Sequence, residues 1–168
     1  IAGEANRFAA DLLLALRAGR GGPRVTYLPL PHPSGLAVDR RRGIVHAAST
    51  RNPNQVFDLM PVTALSGPHG GPRPLDPGPL VPVRSRFLPG HLYLHDLALI
   101  GGRLHANAVG ENVIVRLDDD GGYARVWWPR CIETARGPVF HTNHLQLNSI
   151  AAGRDLRHSF FSASCATL

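Results

Sequence analysis

The feature that most constrains this chain is a strand–turn–strand pattern that returns three times. In HLYLHDLALIGGRLHANAVGENVIVRL (residues 91–117), Tyr93, His95, Leu97 and Leu99 fall on one face of a first run. Gly101-Gly102 separates that run from Leu104-His-Ala-Asn-Ala, and a Gly110-Glu-Asn corner leads into Val113-Ile-Val-Arg-Leu. Gly-Gly between two apolar runs predicts a two-residue hairpin. Upstream, HPSGLAVDRRRGIVHAASTRNPNQVFDL (residues 32–59) has the same order, and downstream NSIAAGRDLRHSFFSAS (residues 148–164) begins it again. Leu36, Leu97 and Ile150 are expected at equivalent places, as are His46, His105 and Ser162. A recurring antiparallel meander of this kind is the sequence signature of a β-propeller, one repeat to a blade.

The expected fold is therefore all-β, a partial β-propeller of about three blades, preceded by an N-terminal amphipathic helix. The helix is predicted over Glu4–Ala18, where Phe8, Leu12 and Leu16 recur at i, i+4 and i+8 and Gly19 supplies a C-cap. The division is residues 1–24 for helix and linker, and 25–168 for the propeller part, with a Pro/Gly-rich insertion at 61–90. That insertion cannot be helical or a central strand, and Val81–Leu88 within it reads as an edge strand. Asp118–Gly122 reads as a plain turn, and Tyr123–Pro129 as an outer strand whose tryptophans pack between blades. Three partial repeats do not close a ring that takes four to eight blades. The chain opens on Ile1 and stops inside a repeat at Leu168. It is thus expected to be a piece of something larger: a truncation, or a processed product with a second polypeptide completing the propeller.

Composition narrows the function classes. The 168 residues carry a net charge of +6 with 18 Arg and no Lys, and only Arg40-Arg41-Arg42 are contiguous, in a predicted turn. Scattered arginine speaks for base composition rather than for nucleic-acid binding. No apolar run is long enough for a membrane span and no signal peptide is visible, so the default compartment is cytoplasmic. Cys131 and Cys165 form no C-x-x-C pair. H-E-x-x-H, Walker A, G-x-G-x-x-G and G-x-S-x-G are all absent, which sets aside zincin, P-loop, Rossmann and serine-hydrolase readings.

Chemistry in a propeller gathers where inner strands begin, because one residue per blade there builds a ring. His32, Ser34, His95, Asp96, His144 and Asn148 are the ring candidates, with His141 nearby. From these, His95, Asp96 and Asn148 are the expected catalytic residues. Neutral imidazole ligates divalent metals, so His95, His141 and His144 form the candidate metal set, with a divalent ion as the candidate cofactor. A calcium-dependent hydrolase or lactonase would draw on Asn107, Glu111, Asn112 and Asn148. Cys165 would be a nucleophile if the chain ended by self-cleavage. Two classes stay open. One is a propeller enzyme acting on a small molecule or modified peptide at the channel mouth; the other is a non-catalytic module binding a protein or carbohydrate.

The quoted segments, with Trp128-Pro129 and NHLQLNSIA (residues 143–151), resemble a bacterial family described as a domain of unknown function, DUF4915. The resemblance runs from about Leu28 to Ser164. It implies a propeller fold and no particular reaction, and it places emphasis on His95-Asp96 and on His144 and Asn148. His144-Leu-Gln-Leu-Asn-Ser-Ile departs from the tighter His-Leu-Asn-Gly-Leu of that family, and the Pro-rich insertion has no counterpart in it.

Overall fold

The computed structural model describes residues 12–17, 20–22, 24–50, 54–61, 80–141 and 145–164. Strand β1 (Leu12–Arg17) and β2 (Arg24–Pro29) form an antiparallel hairpin in register from Leu12↔Pro29 to Arg17↔Arg24. Strands β3 (Pro33–Asp39), β4 (Ile44–Ser49), β5 (Asn54–Pro61) and β6 (Leu80–Leu88) make one four-stranded antiparallel meander, the first blade. Strands β7 (Leu94–Ile100), β8 (Arg103–Ala108), β9 (Val113–Leu117) and β10 (Tyr123–Trp127) make the second. After a two-residue ladder of β11 (Glu133–Thr134) and β12 (Gly137–Pro138), β13 (Leu147–Ala151) and β14 (Phe160–Ala163) pair as the opening hairpin of a third.

The expected helix is corrected. Leu12–Arg17, its C-terminal half, is strand β1; residues 4–11 lie outside the described part. A short unbroken apolar run fits a buried strand as well as a helix turn, and pairing with Arg24–Pro29 across the Gly21-Gly22 turn decides it. The Gly101-Gly102 hairpin forms as read, both glycines at positive φ (58° and 75°) with Ile100 paired to Arg103. The edge strand inside the insertion forms as the outer strand β6, where Pro82 is tolerated beside a bulge. One equivalence shifts. His46 pairs with Ala37 and His105 with Ala98, and their counterpart opposite Ala151 is Phe160, not Ser162.

The core lies between the blades. Ala37, Ala48, Val56 and Leu88 of the first blade pack against Leu97, Leu104, Ala106 and Val115 of the second in one buried cluster. On the far side of the first blade, Ala47, Phe57 and Leu59 pack with Leu30, which follows β2. Trp127 meets Phe161 of the third unit with ring centroids 4.6 Å apart, the interblade contact expected of it.

The first strands of the three units lie side by side, β3 against β7 and β7 against β13. They approach closely enough that a Cβ on Gly35 would sit 2.4 Å from the Cα of Asp96. Backbone on both sides leaves nothing to move aside. Gly35→Ala is expected to destabilise the fold by at least about 2 kcal/mol, the overpacking range. Urea denaturation checks this, and an unchanged midpoint would mean that the two strands separate easily.

Candidate functional site

Each inner strand begins in the same way, and that shared beginning is the candidate site. His32, Tyr93 and Gln146 occupy the left-handed region, at φ 41°, 50° and 44°. Non-glycine residues rarely sit there, and three at repeat-equivalent places mark a conserved turn geometry within this chain. One residue later, the ladder of each inner strand slips. The shift falls between Pro33 and Leu36 in β3, between Leu94 and Asp96 in β7, and between Leu147 and Ser149 in β13. A β-bulge of this kind carries one extra residue and re-aims its side chain. His95 and Asn148 are the extra residues in β7 and β13, and Ser34-Gly35 spans the slip in β3.

Three of the residues expected from sequence thus fall at one structural place. His95 and Asn148 are exposed there, and Ser34 is half-buried. The Ser34 hydroxyl donates to the Leu94 carbonyl at 2.7 Å, joining the first blade to the second. Asp96 works the same way one blade on. Its Oδ1 accepts from the Leu97 N–H at 2.9 Å and its Oδ2 from the Ile150 N–H at 2.8 Å. Those bonds give Asp96 a job in holding β7 to β13. Exposed His91 and Tyr93 stack beside this end of β7, with centroids 6.5 Å apart.

His141 is exposed, and His144 and Cys165 lie outside the described residues. Among the described residues no three His, Cys, Asp or Glu side chains converge as a metal site. The Asp118–Gly122 segment is a turn: Gly121 N–H donates to the Asp118 carbonyl and Gly122 N–H to Asp120 Oδ1.

The roles of two sets of residues escaped the sequence reading, in which Asn112 entered only as a candidate of the calcium-dependent hydrolase. Asn54 opens the third strand of its blade and Asn112 immediately precedes that of the next, and both are almost wholly buried, at 1% and 0% exposure. Asn54 Oδ1 accepts from the Tyr93 N–H and Asn112 Oδ1 from the Leu145 N–H, both at 3.0 Å. Each corner asparagine therefore pins the start of the next blade. The signal was present: Asn54-Gln-Val-Phe and Asn112-Val-Ile-Val align when the repeats are superposed.

The second set is a buried ion cluster on the first blade. Asp58 is 2% exposed and receives Arg84 Nε at 2.7 Å, Arg86 Nη2 at 2.8 Å and His46 Nδ1 at 2.7 Å. An ionised carboxylate only accepts, so the His46 Nδ1 carries the proton. Burial alone would raise the Asp58 carboxyl's pKa; the hydrogen bonds from His46 and Arg84 and the nearby charges overcome this and hold it far below the ordinary value. In the second blade the residue opposite the equivalent histidine, His105, is Arg116. Burial pushes the His105 imidazole down, a hydrogen bond with the Arg103 carbonyl opposes this, and the Arg116 and Arg103 charges add to the lowering.

Fold and site together define a chain built of antiparallel blades of the β-propeller kind. The chain belongs to the family described as a domain of unknown function, DUF4915, which matches residues 6–167. No curated protein matches it in sequence. Among solved structures it is similar to a virginiamycin B lyase from Staphylococcus aureus, at 15% identity and TM-score 0.52, covering 92% of this chain and 57% of that one. It is also similar to a gluconolactonase from Xanthomonas campestris, at 14% identity and TM-score 0.53, covering 89% of this chain and 41% of that one. The chain thus spans little more than half of the lyase and about two fifths of the lactonase. At such identity the likeness is one of fold.

Two predictions come from these contacts. Asp58 contributes stability fully above the ordinary carboxylate value of 3.8, and that contribution fades as pH falls toward its depressed folded value. Asp58→Asn is expected to cost about 3–5 kcal/mol at neutral pH by leaving the buried Arg86 guanidinium without its carboxylate, and to flatten the acid limb of stability against pH. A parallel acid limb in the variant would contradict the assignment. Separately, Asn107 is fully buried with neither amide atom hydrogen-bonded among the described residues. Its counterpart in the first blade is Ala48, so Asn107→Ala is expected to leave stability unchanged or raised in thermal melting.

Proposed function

We propose that this chain is part of a β-propeller enzyme that acts on a small molecule or modified peptide where the inner strands begin. The observation that carries the reading is the bulge repeated in β3, β7 and β13, which offers Ser34, His95 and Asn148 from neighbouring blades. Exposed His95 is the proton-transfer group, since an imidazole can take or give a proton near neutral pH. The Asn148 amide, also exposed, is the donor for a substrate carbonyl or for the oxyanion that develops on it. Asp96 is assigned a positioning role, because both its oxygens already accept backbone N–H groups.

The comparisons support an enzymatic reading in kind. Similar folds bear the names lyase and gluconolactonase, and a virginiamycin B lyase with a His-to-Ala change, whose structure is with quinupristin, is described as catalytically inactive. We also propose that the propeller extends beyond these blades, through a partner polypeptide or more of the same one. Leu36 and Val38 are 47% and 56% exposed, whereas their counterparts Leu97 and Leu99 pack in the core between the blades.

The test is turnover of a panel of lactones and cyclic depsipeptides by the full-length protein. His95→Ala is expected to lower kcat at least about a hundredfold, the scale of general acid–base catalysis. Thermal stability should stay within about 0.5 kcal/mol, as for other exposed positions. Asn148→Ala should lower kcat as well, and Asp96→Asn should lower stability along with activity. Binding of a panel member without turnover, unaffected by His95→Ala, would favour the non-catalytic module instead.

A further inference from the structure

A second place on the molecule has the character of a ligand site, away from the bulges. Between the first and second blades, at the end where the β3–β4 and β7–β8 turns lie, is a cleft of about 310 Å³. Its polar wall carries Arg42, Arg86, Arg103 and Arg116 together with the carboxylates of Asp39, Asp118 and Asp119, and its apolar wall Leu99 and Leu104. A cleft of this volume is large enough for a small ligand, and this one is lined mainly by charged side chains.

Arg86 is the telling residue. Its side chain is only 6% exposed and its Nη2 is engaged with Asp58, yet its Nε–H has no partner. A buried guanidinium N–H left unpaired is unfavourable, so this wall of the cleft calls for an acceptor. The surrounding charges point the same way. Asp39 and Asp119 lie 4.0 and 3.6 Å from Arg42, and Asp119 is also 3.6 Å from Arg84. Asp118 is 3.1 Å from Arg116, and Asp58 is shared by Arg84 and Arg86. The carboxylates are thus occupied. Arg103 pairs with none of them among the described residues, and it faces the cleft from the exposed turn opposite.

We infer that this cleft binds a small organic oxyanion, a carboxylate or a phosphate ester. The anionic group meets Arg86 and Arg103, while the hydrocarbon part lies on Leu99 and Leu104. Guanidinium forks suit both anions, since each presents paired oxygens in the donor plane.

Calorimetric titration of the full-length protein with sodium phosphate and with sodium acetate, each against sodium chloride at equal ionic strength, tests this. Saturable binding of at least one oxyanion is expected, and the tighter of the two identifies the source. Arg103→Gln should weaken it about tenfold, as loss of one charge-assisted contact would. Because Arg103 is exposed and makes no ion pair among the described residues, that variant should keep the wild-type melting temperature. Heats no larger than those of chloride, or equal affinity in Arg103→Gln, would overturn the inference.

Discussion

The structure depends on how closely its inner strands lie. Where Gly35 passes the backbone of Asp96 there is no room for a methyl group, and on either side polar bonds lock the approach. Ser34 reaches the Leu94 carbonyl, and Asp96 reaches the Ile150 amide one blade later. Each bond runs from a side chain of one inner strand to a backbone group of the next. Behind them the corner asparagines repeat the device at a second depth, from Asn54 to Tyr93 and from Asn112 to Leu145. Apolar packing between blades supplies most of the driving force, but it is non-directional. The hydrogen bonds fix the angle at which one blade meets the next.

The ion cluster shows what happens when two blades of one pattern diverge. His46 and His105 stand at the same place, yet one faces Asp58 and the other Arg116. In the first blade the buried carboxylate collects two guanidiniums and an imidazole, so charge is compensated inside the interface. In the second the histidine turns to the carbonyl of Arg103, two residues back. A hydrogen bond to backbone replaces a salt bridge, and the imidazole is held toward its neutral form.

The blades were legible in the sequence because their signals are local. Period-2 runs, Gly101-Gly102, and the spacing of Leu36, Leu97 and Ile150 need no knowledge of distant contacts, and the first strands and turns formed as expected. The failures were non-local. Leu12–Arg17 carries an apolar pattern compatible with either helix or strand, and only its pairing with Arg24–Pro29 resolves it. The matching of Ser162 with His46 and His105 slipped because the loops joining first and second strands differ in length, from Asp39 to Ile44, from Ile100 to Arg103 and from Ala151 to Phe160, and a linear comparison does not fix the register across them. The common placement of Ser34, His95 and Asn148 at the starts of the inner strands was legible by repeat position. The fixed duties of Asp96 were not, since a carboxylate at a strand start reads equally as a reactive group or as an acceptor for a neighbouring amide.

The bulge also separates two kinds of inheritance. Its extra residue stands outside the pairing register, and the three inner strands carry different side chains there, while the left-handed residue before it recurs in each. A change of identity at His95 or Asn148 leaves every ladder bond in place, because those bonds belong to the backbone. Such positions can drift toward new chemistry without a folding penalty. Gly35 and the corner asparagines cannot. The bulge positions are thus free to vary in side chain while the joints between blades are not.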